Sequence, residues 1–197
     1  MYDSASPAEL DQACIVRNAP FYAIRERREA IVLTPRCDIL QGKVDYVSYC
    51  ALYSLREFVV GSLRGSWRHA NNVNHLNDDG TFIDNLTATQ RNTFRKIVRD
   101  RAGLIPRNQQ WRYHWLDLID DETASIVDFE LVNTMPVREA TEQLELIRVL
   151  ASPYREQLAS RYAAYMDRIG TPDMPEDFRR RDSQIAGVVS AVLGDAE

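Results

Sequence analysis

The stretch REAIVLTPRCDI, residues 28–39, is an apolar run that stops at a proline and continues into a cysteine and an acid. β-Branched residues dominate its centre and the proline removes the next backbone donor, so residues 30–34 predict a short buried strand. The next three residues are Arg36, Cys37 and Asp38. They are either part of a catalytic site with Cys37 as its thiol, or simply the residues at which the chain leaves the strand. Because no histidine base can be located for the thiol, we interpret the triplet as the strand exit and Cys37 as a half-buried structural residue.

Three further stretches predict strands. They are GKVDYVSYCALYSL (42–55), WRYHWLDLI (111–119) and SIVDFELVN (125–133). In the last of these, apolar and acidic residues alternate, as in a strand with one wet face. The apolar positions are Val127, Phe129 and Leu131. The acids between them, Asp128 and Glu130, are interpreted as solvated strand carboxylates rather than as ligands of a catalytic metal.

A segment of roughly 55 residues separates the second and third predicted strands, which is too long for a plain connection. Within it, TATQRNTFRKIVRDRAG (87–103) predicts a helix. Thr87 and Gln90 stand at capping-box spacing, and Gly103 is placed to end the helix. The segment is therefore expected to have structure of its own.

The same segment is basic. Residues 60–115 carry nine basic and four acidic side chains, against eight and seventeen in residues 116–197. On the predicted helix, Arg91, Arg95 and Arg99 fall at i, i+4 and i+8 and line one exposed face. Arginine favours planar, bidentate contacts with phosphate or carboxylate. This face therefore either binds nucleic acid or an acidic protein, or docks on the chain's own acidic C-terminal helices.

After the fourth predicted strand the pattern becomes helical. Pro136 suits a first-turn position, and Leu144, Ile147 and Leu150 form one apolar stripe. A second helix is predicted for SPYREQLASRYAAYMDRIGTP (152–172), with Ser152 as its cap. The last stretch, DSQIAGVVSAVLG (182–194), is weakly helical and apolar, as a tail that packs on a core or on a partner would be.

Composition excludes several classes of protein. A chain of 197 residues predicts one domain with an insertion rather than two full domains. No apolar run approaches the roughly 18 residues of a membrane helix, and the first residues lack the features of a signal peptide. We therefore expect a cytoplasmic protein without membrane contact. Cys14, Cys37 and Cys50 form no CxxC pair, so we expect reduced thiols, no metal site and no cofactor.

The remaining chemistry-bearing residues give no complete active site. His69, His75 and His114 lack metal-type spacing and are interpreted as surface or packed histidines. The sequence has no Gly-rich phosphate loop, no nucleophile elbow and no zinc-protease helix.

Taken in order, three blocks of the chain resemble the MazF/PemK growth-inhibitor family. RREAIVLTP (27–35) is similar to that family's Arg-Pro-Val-Leu-Val-Val-Ser strand, and GKVDYVSYCALYS (42–54) to the strand that follows it. SIVDFELVNTMPVRE (125–139) is similar to the strand and arginine-bearing turn before the final helix. The resemblance implies an α+β fold with a small SH3-like β-barrel, which we place at 21–135. The helical insertion at 60–110 and the C-terminal helical extension at 136–197 are additions that a minimal member of that family lacks.

In that family, catalysis is metal-independent RNA cleavage by an arginine of the first block and a threonine after the second. By position, the resemblance implies Arg28 as the arginine and Ser54 as the nearest candidate for the threonine. Glu29 stands where the family has proline, which places a carboxylate beside the arginine.

We therefore predict a prokaryotic MazF/PemK-like barrel protein that acts as a regulatory component of a stress, toxin–antitoxin or phage-defence system. Its predicted contact residues are Arg91, Arg95 and Arg99, its partner is a protein or RNA, and family analogy suggests a homodimer. One alternative is a metal-independent endoribonuclease using Arg28 and Ser54. Another is an antitoxin-like or anti-factor protein whose apolar tail docks on another chain.

Overall fold

The structure is a computed structural model that describes residues 9–61, 87–107, 109–117, 124–167 and 178–194. Its sheet is antiparallel, with strand order β4-β5-β3-β2-β1-β6. The strands are β1 Cys14–Phe21, β2 Glu26–Val32, β3 Tyr46–Ser54, β4 Tyr113–Leu116, β5 Ser125–Pro136 and β6 Glu145–Val149.

Helices flank the strands along the chain, so the predicted α+β class is confirmed. Those in the described ranges are α1 Arg36–Leu40, α2 at 55–61, α3 Ala88–Ala102, α4 Val137–Gln143, α5 Tyr154–Asp167 and α6 Phe178–Leu193. None of these helices has both the length and the apolar character that crossing a bilayer requires.

The apolar run in β2 is explained by burial on both faces of the sheet. Consecutive side chains of a strand point to opposite faces, yet Ala30, Ile31 and Val32 are all buried. Ala30 and Val32 belong to one core cluster, which includes Ala140 of α4. Ile31 belongs to a second cluster, which includes Leu158 of α5. A continuous apolar run is what a strand covered on both faces requires, and the predicted buried strand is confirmed.

The predicted closure of the strands into a barrel is wrong. In the described residues, β4 and β6 are the two edges of an open sheet. The four side chains expected to share a core, Ile31, Leu33, Val127 and Phe129, do lie in one cluster. That cluster packs under α5, however, and a separate cluster occupies the other face of the sheet. Two covered faces need an open layer between helices rather than a single enclosed barrel core.

The prediction of helix through Leu144, Ile147 and Leu150 is also wrong. Helix α4 ends at Gln143, and Leu144 already has extended backbone with φ −86° and ψ 130°. The next five residues form β6, which pairs with β1 and places Arg148 opposite Ile15. Pairing with β1 therefore overrides a three-residue stripe that is too short to specify a helix.

Helix α3 forms where its capping signals place it. The Thr87 nitrogen donates to Gln90 Oε1 at 2.8 Å, and the Gln90 nitrogen donates to Thr87 Oγ1 at 3.3 Å, which completes the predicted capping box. Gly103 follows the last turn, and its nitrogen donates to the Arg99 carbonyl at 3.0 Å. Both predicted ends of α3 are therefore confirmed.

The described chain divides into two compact units, and each is discontinuous in sequence. The first unit contains the described residues up to Tyr53 and those from Trp111 to Asp167. The second contains those from Ser54 to Gln110 together with α6. This division differs from the predicted segments 21–135 and 136–197. The C-terminal part of the chain is split, since α4, β6 and α5 belong to the first unit and α6 to the second.

Candidate functional site

The second unit is built on the packing of α3 against α6. Phe94, Val98 and Ala102 are the buried side chains of α3. On α6 the buried side chains include Val188 and Val192. Both helices therefore have the apolar stripe of an amphipathic helix, and the two helices lie against each other within the unit. The apolar C-terminal stretch is thus packed within this unit.

A groove of about 980 Å³ runs along these two helices and the turn that follows α3. Ile185 and Val189 of α6 line it and are each only 4% exposed, so they lie at its bottom. Leu104 and Ala186 add further apolar surface. The groove therefore has an apolar base formed mainly by α6.

The charged lining of the groove contains three arginines and two carboxylates. The three arginines are Arg95, Arg99 and Arg107, and the two carboxylates are Asp100 and Asp182. The α3 segment as a whole carries five basic side chains and one acidic one, a net charge of +4. Among the described residues, the groove thus combines an apolar base with a charged rim whose arginines outnumber its carboxylates by one.

The three arginines predicted to act together do not have the same surroundings. Arg91 Nη1 donates to the carbonyl of Leu193, at the end of α6, at 2.9 Å. Arg95 is half-buried at the groove, and its Nη1 donates to Asn92 Oδ1 at 3.2 Å. Arg99 is exposed and lines the groove. The structure therefore places Arg95 and Arg99 at one groove, while Arg91 contacts the end of the neighbouring helix.

Arg107 is a groove residue that the sequence patterns do not predict. Its Nη1 and Nη2 donate to the two carboxylate oxygens of Asp182 at 3.2 and 2.7 Å, a bidentate ion pair between the turn after α3 and helix α6. Arg107 Nη1 also donates to the Gly103 carbonyl. No spacing in the sequence indicates this pair, because its two members are 75 residues apart.

In the first unit, Arg28 of β2 is held against an aromatic ring. Its guanidinium carbon lies 4.0 Å from the centroid of the Tyr53 ring, and its side chain is 16% exposed. Arg28 Nη2 lies 3.6 Å from Glu26 Oε2. Burial is the main cause that raises the pKa of Tyr53, and the positive charge of Arg28 acts in the opposite direction. Arg28 is thus a largely covered cation on a tyrosine.

Next to Arg28 and Tyr53, an arginine at the start of β4 contacts two carboxylates of β5. Arg112 Nε and Nη2 donate to the two oxygens of Asp128 at 2.8 and 2.7 Å, and Arg112 Nη1 contacts Glu130. Asp128 is 2% exposed. Its interpretation as a solvated carboxylate is therefore wrong, since it lies inside the sheet and is neutralised by Arg112. Burial, followed by the charge of Asp128, raises the pKa of Tyr113 to about 12.

Ser54, the proposed counterpart of a catalytic threonine, caps helix α2 and is the first residue of the second unit. Its Oγ donates to Glu57 Oε2 at 2.9 Å, and the Glu57 nitrogen donates to Ser54 Oγ at 3.1 Å. The Ser54 nitrogen donates to the same carboxylate at 2.8 Å. These bonds form a capping box, so the hydroxyl has a structural task at this position.

The other described residues considered for catalysis or metal binding do not come together in one site. Cys37 is exposed at α1, and its Sγ donates to Asp38 Oδ1 at 3.4 Å. The interpretation of Cys37 as half-buried is therefore wrong. His114 is buried on β4, and His69 and His75 lie outside the described residues. Within the described ranges, no group of three His, Cys, Asp or Glu side chains is placed to hold a metal ion.

No family model, curated protein or solved structure matches this chain. The groove and the arginine–tyrosine cluster therefore have to be interpreted from their own chemistry.

Proposed function

We propose that this chain is a protein-binding regulatory component that holds an acidic, partly apolar segment of its partner in the groove of the second unit. One observation carries the proposal: Arg95 and Arg99 stand one helical turn apart beside the apolar base formed by Ile185 and Val189. Carboxylates form charge-assisted hydrogen bonds with arginine, and apolar side chains of a ligand can cover the base. A partner segment with both kinds of residue matches both parts of the groove.

An acidic protein segment fits this groove better than nucleic acid does. Sites for single-stranded nucleic acid usually offer aromatic side chains on which bases stack, and none is found among the described residues that line the groove. Double-stranded nucleic acid is bound mainly through its phosphates, for which a buried apolar base has no use. The base of Ile185 and Val189 therefore favours a protein ligand.

The surroundings of the arginines also favour an intermolecular role for Arg99. Arg91 contacts the end of α6, and Arg107 is paired with Asp182. Arg99 is exposed, and no carboxylate of the described chain forms an ion pair with it. Among the described carboxylates of the C-terminal segment, Asp182 thus pairs with Arg107 and none pairs with Arg99.

The proposal is tested by fluorescence anisotropy with two labelled probes, an 18-residue peptide rich in glutamate and leucine and a mixed-sequence RNA of 20 nucleotides. The variants are the double substitution Arg95→Glu with Arg99→Glu and, as a matched control, Lys96→Glu, an exposed charge on α3 outside the groove. We expect the peptide to bind the native chain and the control but not the double variant. Peptide binding that is unaffected by the double variant contradicts the proposal, and RNA binding with no peptide binding assigns the groove to nucleic acid instead.

A metal-independent endoribonuclease is a second candidate, and the placement of Arg28 favours it. The resemblance to the MazF/PemK family makes Arg28 the electrostatic stabiliser of the transition state. The guanidinium stacked on Tyr53 is largely desolvated, which strengthens its interaction with an anion. The engagement of the Ser54 hydroxyl with Glu57 weighs against a catalytic task for Ser54.

Incubation of the purified protein with a varied RNA pool in EDTA buffer tests this second candidate. Cleavage that is lost in Arg28→Ala and kept in Ser54→Ala is the expected outcome if Arg28 alone retains the function. An intact RNA pool, or cleavage that survives Arg28→Ala, removes this candidate.

A further inference from the structure

One carboxylate of the chain already lies in the groove on an arginine. Asp182 of α6 lines the groove, and Arg107 donates to both of its oxygens, from Nη1 at 3.2 Å and from Nη2 at 2.7 Å. Bidentate contacts of this kind are among the strong contacts that arginine makes with a carboxylate. The guanidinium of Arg107 is therefore oriented to take a carboxylate at this place in the groove.

Arg107 has a second anchor that does not depend on Asp182. Its Nη1 also donates to the Gly103 carbonyl, in the turn after α3. A Cβ atom at Gly103 would lie 3.5 Å from the same nitrogen, so the guanidinium rests directly on the glycine. The main chain thus holds the guanidinium at the groove when one carboxylate is exchanged for another.

The Arg107–Asp182 pair is open to solvent. Its two side chains are 33% and 48% exposed. In the bidentate pair that Arg112 forms in the first unit, by contrast, the carboxylate of Asp128 is only 3% exposed. Breaking a buried pair leaves an uncompensated charge, whereas an exposed pair contributes little to stability. Replacement of Asp182 by another carboxylate on Arg107 is therefore not opposed by the fold.

Asp182 stands at one end of the apolar base of the groove. Ile185, Ala186 and Val189 follow it on α6 and line the same groove. They come three, four and seven residues later, so they share one face of the helix with Asp182. A ligand carboxylate on Arg107 would consequently lie beside apolar surface, and a single segment can contact both.

Resting on the proposed function, we infer that Asp182 is an internal competitor of the partner: an acidic side chain of the bound segment takes its place on Arg107. Arg107 is then a further residue that recognises the partner. Because two carboxylates compete for one guanidinium, Asp182 lowers the affinity for acidic segments. A segment compensates for this loss when its apolar side chains also cover Ile185 and Val189, so Asp182 selects against segments that are acidic alone.

Fluorescence anisotropy with the full-length chain tests this competition. The probes are a labelled 18-residue peptide rich in glutamate and leucine and a matched peptide in which glutamine replaces every glutamate. The variants are Asp182→Asn and, as the matched control, Asp100→Asn, which removes the same charge from the same groove. We expect Asp182→Asn to bind the acidic peptide about three- to fivefold more tightly than Asp100→Asn does, the size of one exposed ion pair. The glutamine peptide should not distinguish the two variants.

The extra gain in affinity should disappear when Arg107→Gln is added to both variants, since the exchange requires that guanidinium. Asp182→Ser is a second variant that should bind the acidic peptide as Asp182→Asn does, and thermal melts by circular dichroism check that every variant is folded.

The outcomes separate this inference from the proposed function. If the native chain binds the acidic peptide but the two aspartate variants bind it equally, or if the gain persists with Arg107→Gln, the competition is wrong and the groove remains the binding site. If neither the native chain nor Asp182→Asn binds the acidic peptide, or if the Arg95→Glu, Arg99→Glu double variant binds it as the native chain does, the proposed function itself fails.

Discussion

At the scale of single residues, the arginines of the second unit differ in role because they differ in contacts. Arg91 donates to the carbonyl of Leu193, where the partial negative charge of a helix C-terminus stabilises a cation. Arg107 forms a bidentate pair with Asp182. Arg99 is exposed along the groove. Sequence spacing alone groups Arg91 with Arg95 and Arg99. Its hydrogen bond to Leu193 indicates instead that Arg91 stabilises the packing of α3 and α6.

Substitution of Arg91 is therefore expected to cost stability, and substitution of Arg99 is not. Arg91→Ala removes a charged hydrogen bond to a helix end and should lower the free energy of unfolding by about 1 kcal/mol. Arg99→Ala should leave it nearly unchanged, because the side chain is exposed. Urea unfolding of both variants measures the difference. Equal losses in the two variants would show that the arginines of α3 act as one structural set.

Burial of a thiol makes the stability of the first unit sensitive to alkaline pH. Burial, the largest cause, raises the pKa of Cys14 to about 11, above the ordinary value of about 8.5. Between these values the unfolded chain releases the proton while the folded chain keeps it, so the unfolded state binds fewer protons and stability falls as pH rises. The stabilisation is fully present below about pH 8.5 and is lost as the pH approaches 11.

The corresponding measurement is the free energy of unfolding at about pH 8 and about pH 10.5 for the native chain and for Cys14→Ala. We expect the native chain to lose about 2 kcal/mol more than the variant over this interval. Cys50, which is buried and has its pKa raised in the same direction, contributes equally to both proteins and cancels in the comparison. Identical slopes would mean that the Cys14 thiol ionises as freely in the folded chain as in the unfolded one.

At the scale of elements, the end of α3 depends on a close approach of two backbone segments. A Cβ atom at Gly103 would lie 2.6 Å from the carbonyl oxygen of Arg99. Real Cβ atoms do not approach a backbone oxygen this closely, so the last turn of α3 has to shift when Gly103 is replaced. By contrast, a Cβ at Gly187 of α6 meets nothing within 4 Å.

These two glycines give a matched pair of substitutions. Gly103→Ala should lower the free energy of unfolding by about 1–3 kcal/mol, because it displaces the turn that carries Arg107. Gly187→Ala should raise it by about 0.5–1 kcal/mol, because alanine is favoured over glycine in an open helix interior. Thermal denaturation of both variants tests the signs. A gain in stability from Gly103→Ala would show that the approach to Arg99 is not a constraint.

The sequence predicts elements well where their signals are local. Helix α3 is predicted at both ends, because the capping box of Thr87 and Gln90 and the glycine at 103 act within a few residues. Strand β6 is missed because its only determinant is pairing with β1, which lies more than a hundred residues away. Strand β1 is also missed, although its pairing with β2 is a local hairpin in which Phe21 lies opposite Glu26.

The residues of the candidate sites are likewise predicted where their signal is local and missed where it depends on a distant partner. Arg95 and Arg99 are predictable from their helical spacing, since both line the groove as one row. Asp128 is misread because its alternation with apolar residues resembles that of a solvent-facing acid. Its burial depends on Arg112, which covers it from the start of another strand. Ionic partners that lie on different elements leave no periodic trace in the sequence.

At the scale of the whole molecule, both compact units are assembled from separated parts of the chain. The first joins the described residues before Ser54 to those from Trp111 to Asp167, and the second joins α2 and α3 to α6. Periodicity and capping signals are local, so they predict domains made of contiguous segments. They carry no information on which distant helix packs into the same compact unit. The groove exists only because α6 packs against α3 within the second unit.

The most direct test of the account is a titration of the isotopically labelled full-length chain with the acidic, leucine-containing peptide, followed by nuclear magnetic resonance. We expect chemical shifts to change for the backbone amides of Arg95, Arg99 and Val189, whereas those of Arg28 and Tyr53 stay in place. Shift changes confined to Arg28 and Tyr53, or no changes at all at saturating peptide, would contradict the assignment of binding to the groove.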